Sequence, residues 1–247
     1  MRGLFAAVFA LAALAGVGCV PSAGEPDYSA VGRSVQGRPI RRAVFGAGTS
    51  VTLVLGGFHG DEPEGARLAE RFARHLASDE SFIRGELVVI VPEVNPDGLA
   101  SGRRTNARGV DLNRNVAVSN WDSSTQSRYF PGDSPVSEPE TRAVRRLIEF
   151  YRPKVVVSIH SIGGGRQCVN YDGPAKELAE RMSKACGYPL APSIGYSTPG
   201  SFGTYCGSDL GIPTITLELP SGGDMDGMWE RCRDALMEAV RWGSVAR

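Results

Sequence analysis

The stretch "VTLVLGGFHGDEPEG" (Val51–Gly65) contains the passage from a strand to a helix. Residues 51–58 form an apolar, β-branched run, which predicts a buried strand. Residues 62–77 have the 3.6-residue spacing of an amphipathic helix. Between them the chain places His59 and Glu62, so one of its three histidines stands in a loop rich in carboxylates. This stretch predicts a strand–loop–helix unit with polar side chains at the carboxyl end of the strand.

The same alternation of strand-like and helix-like segments continues to the end of the chain. Further strands are predicted over 87–91, 154–160 and 214–219, and helices over 137–151, 174–186 and 228–242, the first of them opening on an S-x-x-E capping box at Ser137–Glu140. Apolar runs separated by helices predict an α/β fold, a three-layer sandwich with a mixed, mostly parallel sheet between helices. The stretch Pro96–Ser137 has little periodicity and is either a functional loop or a strand without a clear pattern.

Composition limits the class of protein. The 247 residues include 27 Lys and Arg against 27 Asp and Glu, and 42% are hydrophobic. This is an ordinary globular composition with enough apolar residues for one core, so a single domain is expected over residues 30–247. The balanced charge gives no reason to expect nucleic acid as a partner.

The first residues have a different character. In "MRGLFAAVFALAALAGVGC" an arginine precedes a short apolar run and then small residues, which predicts a secretory signal over residues 1–18. The small residues before Cys19 resemble a lipoprotein processing box and favour a lipid-modified Cys19 followed by a linker over 19–29. Ordinary cleavage a few residues later is the alternative. Either way we expect an exported protein, periplasmic or attached to a bacterial membrane through that lipid.

Four further cysteines follow, Cys168, Cys186, Cys206 and Cys232. Export would permit disulfides, and four cysteines allow three pairings, all of which stay open at this point. The chain contains no C-x-x-C pair, so a zinc site built from cysteines is not expected.

Imidazole and carboxylate groups recur at the predicted strand ends. His59 and Glu62 follow the first buried strand, His160 ends "KVVVSIH", and Glu218 lies near the end of "TITLEL". Ligands of open α/β sheets bind outside the carboxyl ends of the strands, and two imidazoles with one carboxylate are typical of a catalytic zinc site. The alternative is a set of structural residues, with Glu218 accepting hydrogen bonds from the 221–223 loop.

A second group of polar residues lies in "SGRRTNARGVDLNRN" (Ser101–Asn115), which contains four arginines. Arginine and asparagine in a loop suit the capture of a carboxylate or the stabilisation of an oxyanion. The alternative is a solvated loop in which Asp111 pairs with an arginine, although that accounts for one or two of the arginines and not for their density.

At these positions the sequence resembles the zinc carboxypeptidase family, the metallocarboxypeptidases. The H-x-x-E motif is His59–Glu62, the downstream histidine is in "SIHS" at His160, G-V-D-x-N-R-N is Gly109–Asn115, and Glu218 stands in "TLEL". "VGRSVQGRPI" (Val31–Ile40) is similar to the entry strand of the family. These motifs occur in the order of the family and span most of the chain.

The resemblance implies one Zn²⁺ per chain, held by His59, Glu62 and His160. It makes Glu218 the general base and proton shuttle. Asp61 is then left as a turn residue or as the group that orients His59.

The resemblance also implies how substrate is held. Asn113 and Arg114 would bind a substrate carboxylate, and an arginine in "GRRTN" would polarise the scissile carbonyl. Arg104 fits that role better than Arg103, because it precedes "TNARGVDLNRN" at the usual distance of the family. The tyrosine that closes over substrate in the digestive members has no clear counterpart, with Tyr196 and Tyr205 as the two choices.

Within the family, "NYDGPAKELAERM" and "GYSTPGSFGTYCG" are most similar to the bacterial murein tripeptide amidases, which cut the bond between γ-D-glutamate and meso-diaminopimelate. The resemblance therefore implies a hydrolase acting on a peptidoglycan-derived peptide, although the familiar enzymes of this branch work in the cytoplasm. Three alternatives stay open: a carboxypeptidase acting on ordinary peptides, an N-acyl amino acid deacylase, and a non-catalytic wall-binding lipoprotein.

Overall fold

The computed structural model describes residues 24–123, 128–192 and 198–245. The predicted signal over 1–18 and Cys19 lie outside the described residues. The first strand begins at Tyr28, close to the predicted start of the catalytic domain.

Eight strands and five α-helices are found in the described residues. The strands are β1 (Tyr28–Arg33), β2 (Pro39–Gly46), β3 (Ser50–Gly56), β4 (Glu86–Val91), β5 (Val155–Ile162), β6 (Cys168–Asp172), β7 (Leu190–Ala191) and β8 (Thr214–Pro220). The helices are α1 (Pro63–Ser78), α2 (Pro96–Ser101), α3 (Pro139–Tyr151), α4 (Lys176–Cys186) and α5 (Met225–Val245). A short 3₁₀ turn covers Glu80–Phe82 and a π-helical turn covers Thr204–Asp209.

All eight strands belong to one sheet in the order β1-β2-β4-β3-β5-β8-β6-β7. The four central strands, β4, β3, β5 and β8, are parallel to one another. Strand β2 joins them antiparallel at one side, and β6 joins them antiparallel at the other. The prediction of a mixed, mostly parallel sheet is confirmed, and the parallel centre brings the carboxyl ends of β3, β5 and β8 to one edge.

Helices cover both faces of the sheet because the central strands are apolar on both sides. Val54 of β3 packs in a core with residues of α1, α4 and α5. Leu53 and Leu55 of the same strand point the other way and pack with α3 and with residues 112–118. The three-layer sandwich is therefore confirmed, with α1, α4 and α5 in one outer layer and α3 in the other.

Two local predictions were wrong, and the choice that the sequence left open for the stretch 96–137 is decided against a strand in its described part. The capping box does not form, because Glu138 is the N-cap of α3 and Glu140 accepts a hydrogen bond from the Val35 backbone N–H (3.0 Å). Residues 31–40 are not one strand but the end of β1, a turn and the start of β2. The stretch 96–137 contains the short helix α2 and, in its described part, no strand.

Two further features bear on the sequence-based expectations. Cys168, Cys186, Cys206 and Cys232 are all buried and unpaired, so none of the three pairings is formed in this structure. Across the described ranges, no helix combines the length and the apolarity that crossing a membrane requires.

Candidate functional site

The predicted site residues gather at the carboxyl edge of the central strands. His59 follows β3, His160 lies near the end of β5, and Glu218 lies opposite His160 in the β5–β8 register. These strands are neighbours and parallel, so their ends meet at one place. Together with Glu62 and Arg104, these side chains line a cavity of about 560 Å³.

The three predicted metal ligands converge on a single point. His59 Nδ1 lies 2.8 Å from Glu62 Oε1, and His160 Nδ1 lies 2.9 Å from Glu62 Oε2. The two Nδ1 atoms are 3.2 Å apart. Ligand atoms of all three residues fall within 4.8 Å of one another. Two imidazole lone pairs that face each other at this distance repel unless a proton or a cation lies between them.

The outer nitrogens of both imidazoles are already held. His59 Nε2 lies 3.0 Å from Asp111 Oδ1, and His160 Nε2 lies 2.9 Å from Ser158 Oγ. Burial alone raises the pKa of Asp111, but His59 and two arginines outweigh burial and hold that pKa well below its usual range. Asp111 is therefore an ionised acceptor, and His59 Nε2 carries the proton that it accepts. In the neutral ring this leaves His59 Nδ1 as the lone pair, which is how metal-binding histidines are commonly oriented.

The charges of the cluster favour a bound cation. Burial lowers the pKa of His59, but the Glu62 and Asp111 carboxylates outweigh burial and raise it to about 9. Burial likewise raises the pKa of Glu62, while His59 and His160 hold that pKa well below the ordinary carboxyl value. The carboxylates thus stabilise a positive charge at this buried position. Two imidazole nitrogens, a carboxylate and this field fit Zn²⁺.

Glu218 stands beside this cluster and is not used by the fold. It is 6% exposed, and its Oε2 atom is buried with no hydrogen-bond partner among the described residues. Burial raises the pKa of Glu218 above its ordinary value, although His160 nearby acts to lower it. The structural alternative fails, because in the 221–223 loop the Gly222 N–H donates to Glu64 Oε1 (2.8 Å).

Arg104, and not Arg103, faces the cavity. The Arg104 guanidinium donates to Glu62 Oε1 (3.0 Å) and to Asp111 Oδ2 (2.9 Å). Arg103 contacts the histidine loop through its backbone carbonyl, which accepts from the Gly60 N–H (2.9 Å). Of the two adjacent arginines, Arg104 is therefore the one whose side chain lines the cavity.

Asn113 and Arg114 also line the cavity. Asn113 Oδ1 accepts a hydrogen bond from the Phe202 backbone N–H (3.0 Å), which ties the loop to the chain before the π-helical turn. The buried Arg114 donates to the Asn113 carbonyl (2.8 Å). The structure therefore places both predicted substrate-binding residues at the cavity wall.

The group that orients His59 is Asp111 and not Asp61. Asp61 instead forms an ion pair with the exposed Arg128 (3.1 Å), and both side chains line the cavity. Asp111 does pair with an arginine, as the structural alternative proposed, but it holds His59 as well. Its place in the G-V-D-x-N-R-N motif was the signal for this second role.

The structure describes one of the two tyrosines considered for the closing role. Tyr196 lies outside the described residues, and Tyr205 lines a separate small apolar pocket next to Phe58 and Phe202. Tyr129 lines the main cavity, with the Arg104 guanidinium 5.0 Å from the centre of its ring. No sequence motif pointed to Tyr129.

Known proteins with similar sequences and structures show the family of this chain. A family model for zinc carboxypeptidases matches residues 26–231. Murein peptide amidase A of Escherichia coli (strain K12) is 37% identical over 230 residues, covering 88% of this chain and 90% of that protein. Murein peptide amidase A of Vibrio campbellii is 35% identical over 205 residues, covering 76% and 77%. The crystal structure of murein-tripeptide amidase from Escherichia coli O157 superimposes with a TM-score of 0.72 at 35% identity, covering 88% of this chain and 92% of that one. The chain therefore belongs to the zinc carboxypeptidase family of zinc-dependent hydrolases.

Proposed function

We propose that this protein hydrolyses an amide bond in a murein peptide, the bond between γ-D-glutamate and meso-diaminopimelate. The observation that carries the proposal is the charged lining of the cavity beside the metal cluster, which includes Arg114, Arg128, Arg166 and Asp172. A diaminopimelate peptide has several carboxylates and a free amine, so it complements such a lining better than an apolar C-terminal side chain does. The near full-length similarity to murein peptide amidases supports the same substrate class.

In this proposal His59 and His160 bind zinc through Nδ1, and Glu62 binds it through its carboxylate. Zinc in this position would lower the pKa of a water molecule and polarise the scissile carbonyl. Glu218 accepts the proton of the attacking water and then donates it to the leaving amine. Its raised pKa suits both steps, since a buried carboxyl group above its ordinary pKa is a better base and is protonated more readily near neutrality.

The arginines hold the two ends of the reacting group. Arg104 donates to the carbonyl oxygen as negative charge develops there, from a position fixed by Glu62 and Asp111. Arg114, with Asn113, binds the carboxylate on the carbon next to the leaving nitrogen. Such a bidentate contact aligns the amide with Glu218.

The proposal includes export and a lipid on Cys19, which rest on residues 1–19 alone. Mass spectrometry of the mature N-terminus, isolated from a bacterial host, tests this part. A diacylated or triacylated Cys19 is the expected result, and an unmodified N-terminus a few residues later would rule out the anchor.

The test of the activity uses three substrates in parallel. Zinc-loaded enzyme is incubated with the murein tripeptide, with a tripeptide of ordinary L-residues and with an N-acetyl amino acid, and the products are measured by mass spectrometry. We expect free diaminopimelate from the murein tripeptide, and none with Glu218→Gln. Release from the ordinary peptide alone would favour a carboxypeptidase, and release from the acetyl compound alone a deacylase. No release from any of them would contradict an enzymatic role.

A further inference from the structure

The outer surface of α3 and of the residues just after it concentrates positive charge. The exposed side chains of this surface, which we call the α3 face, are Arg142, Arg145, Arg146, Glu149, Phe150, Arg152 and Lys154. The α3 face thus has five cations and one acid, although the whole chain has 27 of each sign. A surface with one dominant sign of charge attracts a partner of the opposite sign.

The fold does not neutralise most of these cations. Arg145 pairs with Glu149 (2.7 Å). In the part of the chain that the structure describes, no carboxylate lies within ion-pairing distance of Arg146, Arg152 or Lys154. These three charges are therefore available to an anionic partner.

Helix α4, in the opposite outer layer, shows the ordinary pattern of a solvated helix. Its exposed charges have both signs, and they pair one turn apart, Lys176 with Glu180 (3.7 Å) and Arg181 with Glu177 (2.9 Å). Such pairs stabilise a helix that faces water. The α3 face departs from this pattern, so solvation alone does not account for it.

An exposed aromatic ring lies among the cations of the α3 face. Phe150 is 77% exposed, more than any other large hydrophobic side chain of the described residues. Its ring packs edge-on against Tyr151, with the ring centres 4.9 Å apart. At a membrane surface, aromatic side chains enter the boundary between headgroups and acyl chains while lysine and arginine bind anionic headgroups. A lipid surface therefore uses both kinds of side chain.

The described chain begins close to the end of α3. Arg42 donates to the Tyr151 hydroxyl (2.9 Å) and to Ser29 Oγ (2.8 Å), which joins the last residue of α3 to the second residue of β1. Ten peptide bonds separate Ser29 from Cys19, and an extended chain of this length spans at most about 35 Å. A lipid on Cys19 would therefore keep the end of α3 within reach of the bilayer.

The α3 face is also placed so that docking leaves the cavity open. Arg152 and Lys154 directly precede β5, which begins at Val155, whereas the cavity lies at the other end of this strand, at His160. From Val155 to His160 the strand rises about 17 Å. A membrane in contact with the beginning of β5 would face away from the cavity mouth.

We propose that the α3 face docks on a membrane surface of anionic phospholipids, through Phe150 and the cations Arg146, Arg152 and Lys154. This inference goes beyond the proposed hydrolysis and shares with it only the proposed export. The α3 face adds an electrostatic attachment to that of the lipid and orients the cavity away from the bilayer.

The test measures vesicle binding by residues 20–247, which contain every described element and lack Cys19 with its lipid. The probes are vesicles of phosphatidylglycerol with phosphatidylethanolamine, and vesicles of phosphatidylcholine alone, at low and at high ionic strength. We expect binding to the anionic vesicles to be at least about tenfold tighter than to the neutral ones. This preference should shrink at high ionic strength, because salt screens exposed charges.

Two variants separate charge from apolar contact. In the double variant Arg152→Gln, Lys154→Gln we expect binding to anionic vesicles to fall about 25-fold, since each cation near such a surface contributes about fivefold. Phe150→Ala should weaken binding about tenfold at both ionic strengths, because it removes apolar contact and no charge. Neither variant should change kcat/KM for the soluble murein tripeptide, since these residues do not line the cavity.

The matched control is the double variant Lys176→Gln, Lys184→Gln in α4. It removes two exposed cations from the opposite outer layer, so it has the same net charge as the first double variant and should bind like the wild type. Thermal unfolding establishes that all variants are folded.

The outcomes separate this inference from the proposed function. Equal weakening in the two double variants would mean that net charge and not the α3 face sets the binding. Equal binding to both kinds of vesicle, or retention by isolated murein and not by vesicles, would also overturn the inference. Product release from the murein tripeptide is measured separately, so its absence would contradict the proposed function and leave docking by the α3 face in place.

Discussion

Two polar clusters involve the stretch 96–137, one through Asp97 and the other through Asp111, and they differ in how their hydrogen bonds are balanced. The hairpin cluster consists of Ser34, Gln36, Arg38 and Asp97, under the turn between β1 and β2. Asp97 accepts from Ser34 Oγ (2.8 Å), the Gln36 N–H (2.9 Å) and the Arg38 guanidinium (2.6 Å). The metal cluster consists of His59, Glu62 and His160, and there two imidazole Nδ1 atoms face each other at 3.2 Å. In the first, each acceptor of Asp97 meets a donor, and in the second, three groups that can bind a cation face one another.

Asp97 of the hairpin cluster and Glu218 beside the metal cluster differ in the same way. Burial raises the pKa of both Glu218 and Asp97. At Asp97, hydrogen bonds from Gln36, Arg38 and Ser34 outweigh burial and lower the pKa. At Glu218 no contact outweighs it, and Oε2 has no hydrogen-bond partner in the described part of the chain. Buried polarity alone therefore does not indicate a functional site, whereas a surplus of acceptors does.

The largest expected effect comes from Glu218→Gln. A general acid–base group contributes about 10²- to 10⁴-fold in rate, so kcat for diaminopimelate release should fall by that factor. The fold should not be weakened. A carboxyl group whose folded-state pKa is raised destabilises the fold above its unfolded pKa, so removing its charge should leave the melting temperature of the zinc-free protein equal or higher. The measurements are product release and thermal unfolding, with zinc content as the control. A variant that keeps more than a tenth of the wild-type kcat would refute the assignment.

A smaller effect is expected from Asp111→Asn, which alters how His59 is held. Loss of a group that orients a metal ligand typically lowers metal affinity by about 10- to 100-fold. The amide also removes one of the two carboxylates that draw positive charge to His59. Competition with a chromophoric chelator measures the zinc affinity.

Asp61→Asn is the matched control for that experiment. Asp61 is next to Glu62 in sequence, but it pairs with Arg128 and not with His59. Its variant should bind zinc as tightly as the wild type. Equal weakening in the two variants would mean that net charge, and not orientation by Asp111, sets the affinity.

The parts of the site that the sequence predicted are those determined by local order. His59, His160 and Glu218 follow or end apolar strands, and parallel neighbouring strands must bring such residues to one edge. The α/β sandwich followed from the same apolar runs. These inferences needed only the hydrophobic period of each segment and the glycine and proline residues at its ends.

The parts that the sequence did not predict depend on contacts between distant segments. Whether Asp61 or Asp111 orients His59 depends on how the 96–137 stretch folds over the strand ends, and that stretch has no periodicity. Glu140 was assigned to a local cap, but Val35, more than a hundred residues away, supplies its hydrogen bond (3.0 Å).

The smallest expected effect comes from Asp97→Asn, which tests the hairpin cluster. Asp97 is 3% exposed, and its three hydrogen bonds to the charged carboxylate suggest a loss of about 1–3 kcal/mol in the free energy of unfolding at pH 7. Because the folded-state pKa of Asp97 is lowered, this stabilisation is present above the unfolded pKa of about 3.9 and is lost as the pH falls through the folded-state value. The difference between wild type and variant should therefore be full at pH 7 and narrow below about pH 4. Urea unfolding of the zinc-free proteins at both pH values measures it, and kcat/KM should be unchanged, since Asp97 does not line the cavity. A difference that stays constant with pH would mean that packing and not charge stabilises the hairpin cluster, and a fall in kcat/KM would mean that the two clusters are coupled.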